Sequence, residues 1–229
     1  MTPLIDAYYT ELATRKETNA PEPPPEPVVV TDKNLDAIYG FWFGCDGRAE
    51  HLDGQRIQFW MSQSDETDAE VRRRFAHLLP VAASMSWDIE ALTPRQIVGL
   101  VVLFDQFPRN LFRASGGAFA YDTMAREITA KLCRQSQDYT VAERFMLGLP
   151  LVHHEAVESQ DRAVRIAAHE AVEANDDADR DHLRFALDQA TRHRDVIRRF
   201  GRFPHRNKML GRQSTPEEEA FMAQHGRGF

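Results

Sequence analysis

The fold of this chain is decided by residues 93–110, which read TPRQIVGLVVLFDQFPRN. Thr93 followed by Pro94 predicts the start of a helix, because proline at the first helical position lacks only an amide hydrogen that the helix leaves unpaired. Residues 97–104 are apolar on every side, which is typical of a helix buried in the core. A buried strand is the competing interpretation. Gln96 and the helical patterns on both sides favour the helix.

Helical signals continue on both sides of this segment. Apolar side chains recur at helical spacing over residues 34–43, which stop at a glycine, and over residues 183–197, which are followed by Gly201. Thr140-Val-Ala-Glu143 and Thr215-Pro-Glu-Glu218 are capping boxes, in which a hydroxyl and a carboxylate bind amides of the first turn. The sequence has no run of alternating β-branched residues bounded by turn signals. It therefore predicts an all-α fold of antiparallel helical hairpins.

A proline-rich stretch separates the first residues from the rest of the chain. Five of the seven residues 21–27 are proline, which predicts an extended and semi-rigid spacer. Leu4, Tyr8 and Leu12 recur every four residues ahead of it, as in a short amphipathic helix. Whether this helix docks on a surface or is a disordered tail stays open. The predicted organisation is an N-terminal extension (1–20), a linker (21–30) and a single helical domain (31–229).

Composition excludes several classes of protein. The chain is 42% hydrophobic, and 28 lysines and arginines against 35 acidic residues give a net charge of −7, which is ordinary for a globular protein. The longest apolar run, residues 97–104, is far shorter than the roughly 20 residues of a membrane helix. The first residues lack the basic and apolar regions of a secretory signal. Since two cysteines also fit a reducing compartment, we expect a cytoplasmic protein with no membrane partner.

Positive charge is concentrated in residues 192–212. This segment holds eight basic side chains and one acid, so its charge is +7 and that of the remaining chain is −14. An acidic surface of this kind repels a long polyanion such as nucleic acid. We therefore expect a small anion as the partner of the basic segment.

Two segments share one pattern, Phe104-Asp-Gln-Phe-Pro-Arg-Asn110 and Phe200-Gly-Arg-Phe-Pro-His-Arg-Asn207. In each, aromatic residues close an apolar helix, proline stops it, and an arginine–asparagine pair follows in the turn. Arginine offers a planar fork to a carboxylate or phosphate, and asparagine offers a donor and an acceptor. A purely structural role is equally open, since such side chains bind the last carbonyls of a helix and Asp105 can pair with an arginine.

These and other motifs resemble the bacterial domain-of-unknown-function (DUF) family 924. The resemblance covers about residues 34–222. It implies a fold of tetratricopeptide (TPR)-like helical hairpins and no established reaction. The matching segments are Phe41-Trp-Phe-Gly44, Asp105–Asn110, Ala118-Phe-Ala120 with Asp122, Pro150 with His153 and Glu155, Phe200–Asn207 and Ser214–Glu219.

His153 is the candidate for acid–base chemistry. It follows Pro150 in an apolar stretch, and a histidine near neutral pH with Glu155 nearby is suited to proton transfer. The competing interpretation is a histidine that is hydrogen-bonded inside the core. His154 and Glu158 lie on one helical face, but two ligands are too few for a zinc site. We expect no metal and no cofactor, because phosphate-binding and dinucleotide-binding glycine motifs are also missing from the sequence.

The sequence therefore predicts a pocket that binds a small anionic molecule or an acidic peptide end. An enzyme of transferase or hydrolase type, with an arginine clamp on an acidic substrate, is the first alternative. A protein-interaction module, with a protein partner bound through the N-terminal extension, is the second. The predicted catalytic residues are His153 and Glu155, and the predicted ligand-binding residues are Asp105, Arg109, Asn110, Arg113, His205, Arg206 and Asn207.

Overall fold

The computed structural model describes residues 29–132 and 138–226, and within these ranges the chain is helical with no strand. The N-terminal extension, most of the linker and Cys133 lie outside the described residues. No helix in the described part of the chain is long and apolar enough to cross a membrane. The all-α single domain is thus confirmed. Its α-helices are α1 (Asp32–Phe43), α2 (Gly54–Met61), α3 (Asp65–Phe75), α4 (Leu78–Ser84), α5 (Pro94–Asp105), α6 (Phe107–Leu111), α7 (Asp122–Leu132), α8 (Val141–Val152), α9 (Val157–Glu173), α10 (Asp177–Phe200) and α11 (Pro216–His225).

Helix α5 is the central buried helix, as predicted. Thr93 caps it by accepting from the amide of Gln96 (3.3 Å), while the Gln96 side chain accepts from the amide of Thr93 (2.9 Å). Every residue of 96–105 is buried. The segment after it differs from the prediction, because Pro108 lies in the first turn of the short helix α6 and not in a turn between helices. A proline is compatible with the first turn of a helix, where its missing amide hydrogen is not needed.

Helices α1 and α5 cross at very short range at Gly99. A Cβ atom at position 99 would overlap the backbone oxygen of Leu35 in α1. The obstacle is backbone, which cannot rotate away as a flexible side chain does. Glycine at this position therefore sets the distance between the two helices that form the centre of the core.

Glu143, in the first turn of α8, fastens this helix to the N-terminal part of the domain. Its side chain is fully buried and accepts hydrogen bonds from the Tyr39 hydroxyl (2.9 Å) and from Nε of Arg48 (3.0 Å). It also closes the predicted capping box by accepting from the amide of Thr140 (3.0 Å). One carboxylate thus joins α1, the loop after it and α8.

Helices α9 and α10 form the longest hairpin. They pack along each other, and only residues 174–176 connect them, so they run antiparallel. Asp176 caps α10 by accepting from the amide of Asp179, and Gly201 ends it with a φ of 70°. The predicted hairpins are therefore present, and the finer TPR-like description stays a prediction.

Candidate functional site

Side chains from five elements meet where α5, α6 and α8 end. Asp105 is the last residue of α5, Asp122 the first of α7, and His153 follows directly after α8. Arg109 comes from α6, and Arg206 comes from a 3-10 helix formed by residues 204–206. We refer to these five residues as the buried charge cluster.

Asp105 is the centre of the cluster and only 1% exposed. Its Oδ1 lies 2.8 Å from Nδ1 of His153 and 3.5 Å from Nη1 of Arg109, and its Oδ2 accepts from the side-chain amide of Gln106. Burial alone would raise the pKa of Asp105, but the Arg109 charge and the His153 hydrogen bond lower it to about 2. The carboxylate is therefore ionised and holds donors on both oxygens.

Arg109 binds the second carboxylate of the cluster with its whole fork. Its Nη1 and Nη2 donate to Oδ1 and Oδ2 of Asp122 at 2.8 and 3.0 Å. Nη1 also donates to the backbone oxygen of Asp105 at the end of α5. Arg109 therefore does bind a carbonyl oxygen at the end of a helix, as the structural interpretation expected. The same contacts hold its guanidinium within the cluster.

Arg206 has a different environment, although it is just as central. The residue is 6% exposed, and its guanidinium lies 4.4 Å from the ring centroid of Phe119 and 4.7 Å from that of Phe203. Its nearest carboxylate oxygen is Oδ2 of Asp122, 3.9 Å from Nη1, and its buried Nε has no hydrogen-bond partner among the described residues. Burial, followed by the charge of Arg109, lowers the pKa of Arg206 to about 10.

His153 is held in one tautomer. Because a carboxylate only accepts, Nδ1 carries the proton that His153 shares with Asp105, and Nε2 is the unprotonated nitrogen. Burial and the charge of Arg109 lower the pKa of His153 below its ordinary value, despite the opposing effect of Asp105. The imidazole is therefore neutral at pH 7. No residue in the described ranges hydrogen-bonds Nε2.

His154 adds a polar edge to the cluster. Its Nε2 lies 3.2 Å from Nη1 of Arg126 and its Nδ1 lies 2.8 Å from Oγ of Ser159. Burial and then the Arg126 charge lower the pKa of His154, with Arg206 contributing in the same direction. In the part of the chain that the structure describes, no three histidine, cysteine or acidic side chains are grouped to hold a metal ion.

Two predicted ligand residues lie apart from this cluster. Asn110 donates from Nδ2 to Oδ1 of Asp68 in α3 (2.8 Å), and Arg113 donates from Nη2 to the same oxygen (2.6 Å). They line an open surface cleft of about 710 Å³ together with Arg72 and Phe112. Successive residues of a helix point in directions about 100° apart, so neighbours in sequence reach different partners.

The second motif is also divided. Asn207 donates from Nδ2 to Oε2 of Glu218 in α11 (3.2 Å), and that carboxylate also binds the fork of Arg202 at 2.6 and 2.8 Å. Glu155 accepts from the backbone amide of Phe203 (2.9 Å) and pairs with Arg212. These contacts hold the segment that carries Arg206.

The predicted residues therefore lie in three groups instead of at one point. The carboxylate that contacts His153 is Asp105, and Glu155 instead holds the Phe203 backbone. The His205 ring packs 5.6 Å from that of Phe203. Sequence reasoning omitted Asp122 from the site, although the residue belongs to a motif that carries the family resemblance. It also omitted Phe119, the last residue of a 3-10 helix (Gly116–Phe119), which belongs to the same motif.

The contacts of Glu218 predict a pH dependence of stability. Its hydrogen bond with Arg202 lowers the pKa of Glu218 from 4.5 to about 2 in the folded state. The stabilisation from the ionised form is complete above the unfolded pKa and is lost as the pH falls toward the folded pKa. We expect Glu218→Gln to be less stable than the wild type at about pH 6, and to lose less stability between about pH 6 and pH 3. Urea unfolding at the two pH values measures both effects.

The exposed neighbour Glu219 provides the control for this experiment. Glu219→Gln removes the same charge from α11 without touching Arg202 or Asn207, so its pH dependence should match that of the wild type. Equal acid sensitivity of the Glu218→Gln variant and the wild type would contradict the assignment.

Comparisons with other proteins agree with the helical architecture. Among solved structures, a protein of unknown function from Agrobacterium tumefaciens is 27% identical, with a TM-score of 0.68 over 85% of this chain and 99% of that chain. A search of curated proteins gives no match. The family described as bacterial protein of unknown function (DUF924) matches residues 38–226, which include the whole buried charge cluster. Since this match spans most of the sequence, the chain belongs to the DUF924 family.

Proposed function

We propose that the protein binds a small organic acid through its carboxylate at Arg206. The supporting observation is a buried guanidinium, 6% exposed, whose Nε lacks a hydrogen-bond partner among the described residues. A buried charge without a hydrogen-bonded counter-ion costs several kcal/mol, so proteins rarely keep one without a use. A bound carboxylate supplies the missing partner.

Asp122 does not fill this role. Both of its oxygens already accept from the fork of Arg109 at 2.8 and 3.0 Å, while Arg206 stays 3.9 Å away. Two phenyl rings pack on the Arg206 guanidinium, so its polar contacts are confined to the edge of the plane. The edge of a guanidinium matches a carboxylate, which it binds with two parallel hydrogen bonds.

The local charge favours a ligand with a single negative charge. Arg126 contacts His154 at 3.2 Å, and it forms no ion pair with the residues in the described ranges. The neutral histidines contribute nothing at pH 7. The positive charges are those of Arg109, Arg126 and Arg206, and the negative charges are those of Asp105 and Asp122. The net charge of these five side chains is therefore +1.

Three side chains of the buried charge cluster are partly exposed. The side chains of Arg109, His153 and Asp122 are each exposed by about a fifth, at 20%, 20% and 21%. The Arg206 side chain is only 8% exposed. Solvent therefore reaches three of the side chains, while Arg206 is largely shielded from water, where a charged hydrogen bond is strongest.

Thermal unfolding with paired probes tests the proposal. Acetate and benzoate are compared with acetamide and benzamide, which keep the shape and lose the charge. At roughly ten times its Kd, a bound acid should raise the Tm by about 3–6 °C, and the matching amide should not. Calorimetric titration should give one site for each chain.

Variants locate the site. Arg206→Lys keeps the charge without the planar fork, and Arg206→Gln removes both, so each should abolish the selective rise. Arg192→Gln is the matched control, because Arg192 belongs to the same basic segment and pairs with Asp188 on the exposed surface. If the Arg206 variants do not fold, Arg126→Gln replaces them as the test variant, because Arg126 lies at a partly exposed position. An equal rise with acids and amides, or an undiminished rise in the Arg206→Lys variant, would refute the proposal.

A further inference from the structure

We infer that His153 is a general base, positioned by Asp105, that hydrolyses an acyl bond in the organic acid held by Arg206. The inference rests on the proposed function and adds a reaction to it. It is supported by the His153–Asp105 pair, in which a buried carboxylate lies 2.8 Å from Nδ1. The arrangement turns the other ring nitrogen, Nε2, into the free base.

The carboxylate of this pair is itself held rigidly. Gln106 donates to Oδ2 of Asp105, and Arg109 lies 3.5 Å from Oδ1, so the Asp105 side chain has no freedom to turn away from the imidazole. A base whose ring is oriented by a fixed partner is the arrangement that general-base catalysis requires. Asp105 is a positioning residue, since it acts through His153.

Comparison with neighbouring histidines distinguishes this pair from ordinary packing. Nε2 of His154 contacts Arg126. Nδ1 of His193 is hydrogen-bonded to the backbone carbonyl oxygen of Gln189 (2.8 Å). His153 faces a carboxylate and keeps Nε2 without a hydrogen bond from any residue of the two described ranges. Nε2 of His153 is therefore available to accept a proton from a group outside the protein, such as water or a ligand.

A series of polar contacts joins this base to the proposed ligand site. His153 contacts Asp105, Asp105 lies 3.5 Å from Arg109, Arg109 binds Asp122, and Asp122 is 3.9 Å from Arg206. We place the carboxylate of the ligand at Arg206 and its acyl bond at Nε2 of His153. Arg109, with about a fifth of its side chain exposed, supplies positive charge beside that end.

The reaction follows from these positions. No serine, threonine or cysteine of the described residues hydrogen-bonds Nε2, so the nucleophile is water. Nε2 takes a proton from water as the water oxygen bonds to the acyl carbon, and the carbonyl oxygen becomes an oxyanion near Arg109. When the bond to the leaving group breaks, the proton on Nε2 passes to that group. The products are a second carboxylic acid and an alcohol or amine.

A pair of chromogenic esters tests this inference. The mono-4-nitrophenyl ester of succinate carries the free carboxylate, and 4-nitrophenyl acetate lacks it. We expect kcat/KM for the succinate ester to exceed that for the acetate ester by at least about tenfold, and the His153→Gln variant to lose about 10²- to 10⁴-fold on the succinate ester. Arg206→Lys should remove the preference between the two esters.

The pair of His51, which is exposed, and Asp179, which is buried, is the matched control. Its Nδ1–Oδ2 distance is 2.7 Å, but the His51 side chain is 69% exposed and far in sequence from the cluster. His51→Gln should leave both rates unchanged. Asp105→Asn should move the pH profile of kcat/KM and, in ¹⁵N spectra of the imidazoles, shift His153 toward the tautomer protonated at Nε2. A merely structural Asp105 would change stability without changing either.

The outcomes separate this inference from the proposed function. Suppose that carboxylates raise the Tm but the wild type hydrolyses the succinate ester no faster than the His153→Gln variant does. The proposed carboxylate binding is then supported, and the catalytic role of His153 is refuted. If neither carboxylate binding nor ester preference is found, both fail. If the rate on the succinate ester survives in His153→Gln, the role is refuted whether or not carboxylates raise the Tm, because the base would then lie elsewhere.

Discussion

Gly99→Ala is expected to lower the stability by about 2–3 kcal/mol, although alanine is the better helix former. Helix propensity alone would favour alanine by roughly 1 kcal/mol. The new Cβ would overlap the backbone oxygen of Leu35, so α1 and α5 must separate along their whole contact. For a chain of this length, the Tm should fall by about 4–12 °C in thermal unfolding followed by circular dichroism.

Gly148→Ala is the matched control within the same fold. Gly148 also lies inside a helix, α8, but nothing occupies the space within 4 Å of a Cβ placed there. Alanine should therefore stabilise this position by about 0.5–1 kcal/mol. Opposite signs for the two variants are the expected result. A Gly99→Ala variant as stable as Gly148→Ala would contradict the close crossing of α1 and α5.

Glu143→Ala should lower the stability by about 3–5 kcal/mol, which is more than Gly99→Ala. The carboxylate is fully buried and receives donors from Tyr39, Arg48 and Thr140. Removing it leaves the Tyr39 hydroxyl without this partner in the core, and the capping box of α8 loses the bond that the Glu143 carboxylate accepts from the Thr140 amide. The midpoint of urea unfolding measures the loss.

An exposed ion pair and a double-mutant cycle complete this experiment. Glu70 pairs with Arg73 at the surface, so Glu70→Ala should cost no more than about 1 kcal/mol. The cycle combines Glu143→Gln with Tyr39→Phe, and their coupling should be about 0.5–3 kcal/mol. Additive effects within about 0.3 kcal/mol would mean that the hydroxyl and the carboxylate do not support each other.

Much of the fold could be predicted because its signals are local. The buried helix over residues 96–105, the capping boxes at Thr140 and Thr215 and the glycine stop at Gly201 each depend on side chains a few residues apart. The short helix α6 was missed, since Pro108 permits either a turn or a first helical turn.

The site was predicted less completely, because it joins residues far apart in sequence. His153 and Asp105 are 48 residues apart, and no local pattern pairs them. The two similar motifs also have different surroundings. Asn110 binds Asp68 while Asn207 binds Glu218, so the same residue type at the same place in the motif has a different partner in each copy. The sequence showed which charged and polar side chains could form a site. Which of them contact one another depends on how whole helices pack, and the sequence does not show that.

The contacts between Glu218 and Asn207 have a consequence for the order of assembly during synthesis. Arg206 is held in place by a segment that α11 and Glu155 fasten to the rest of the domain. A growing chain leaves the ribosome N-terminus first, so the core around α5 can form before α11 exists. The arginine proposed to receive the ligand is secured only after residue 218 has emerged. A nascent chain is therefore folded at its centre well before it is competent to bind.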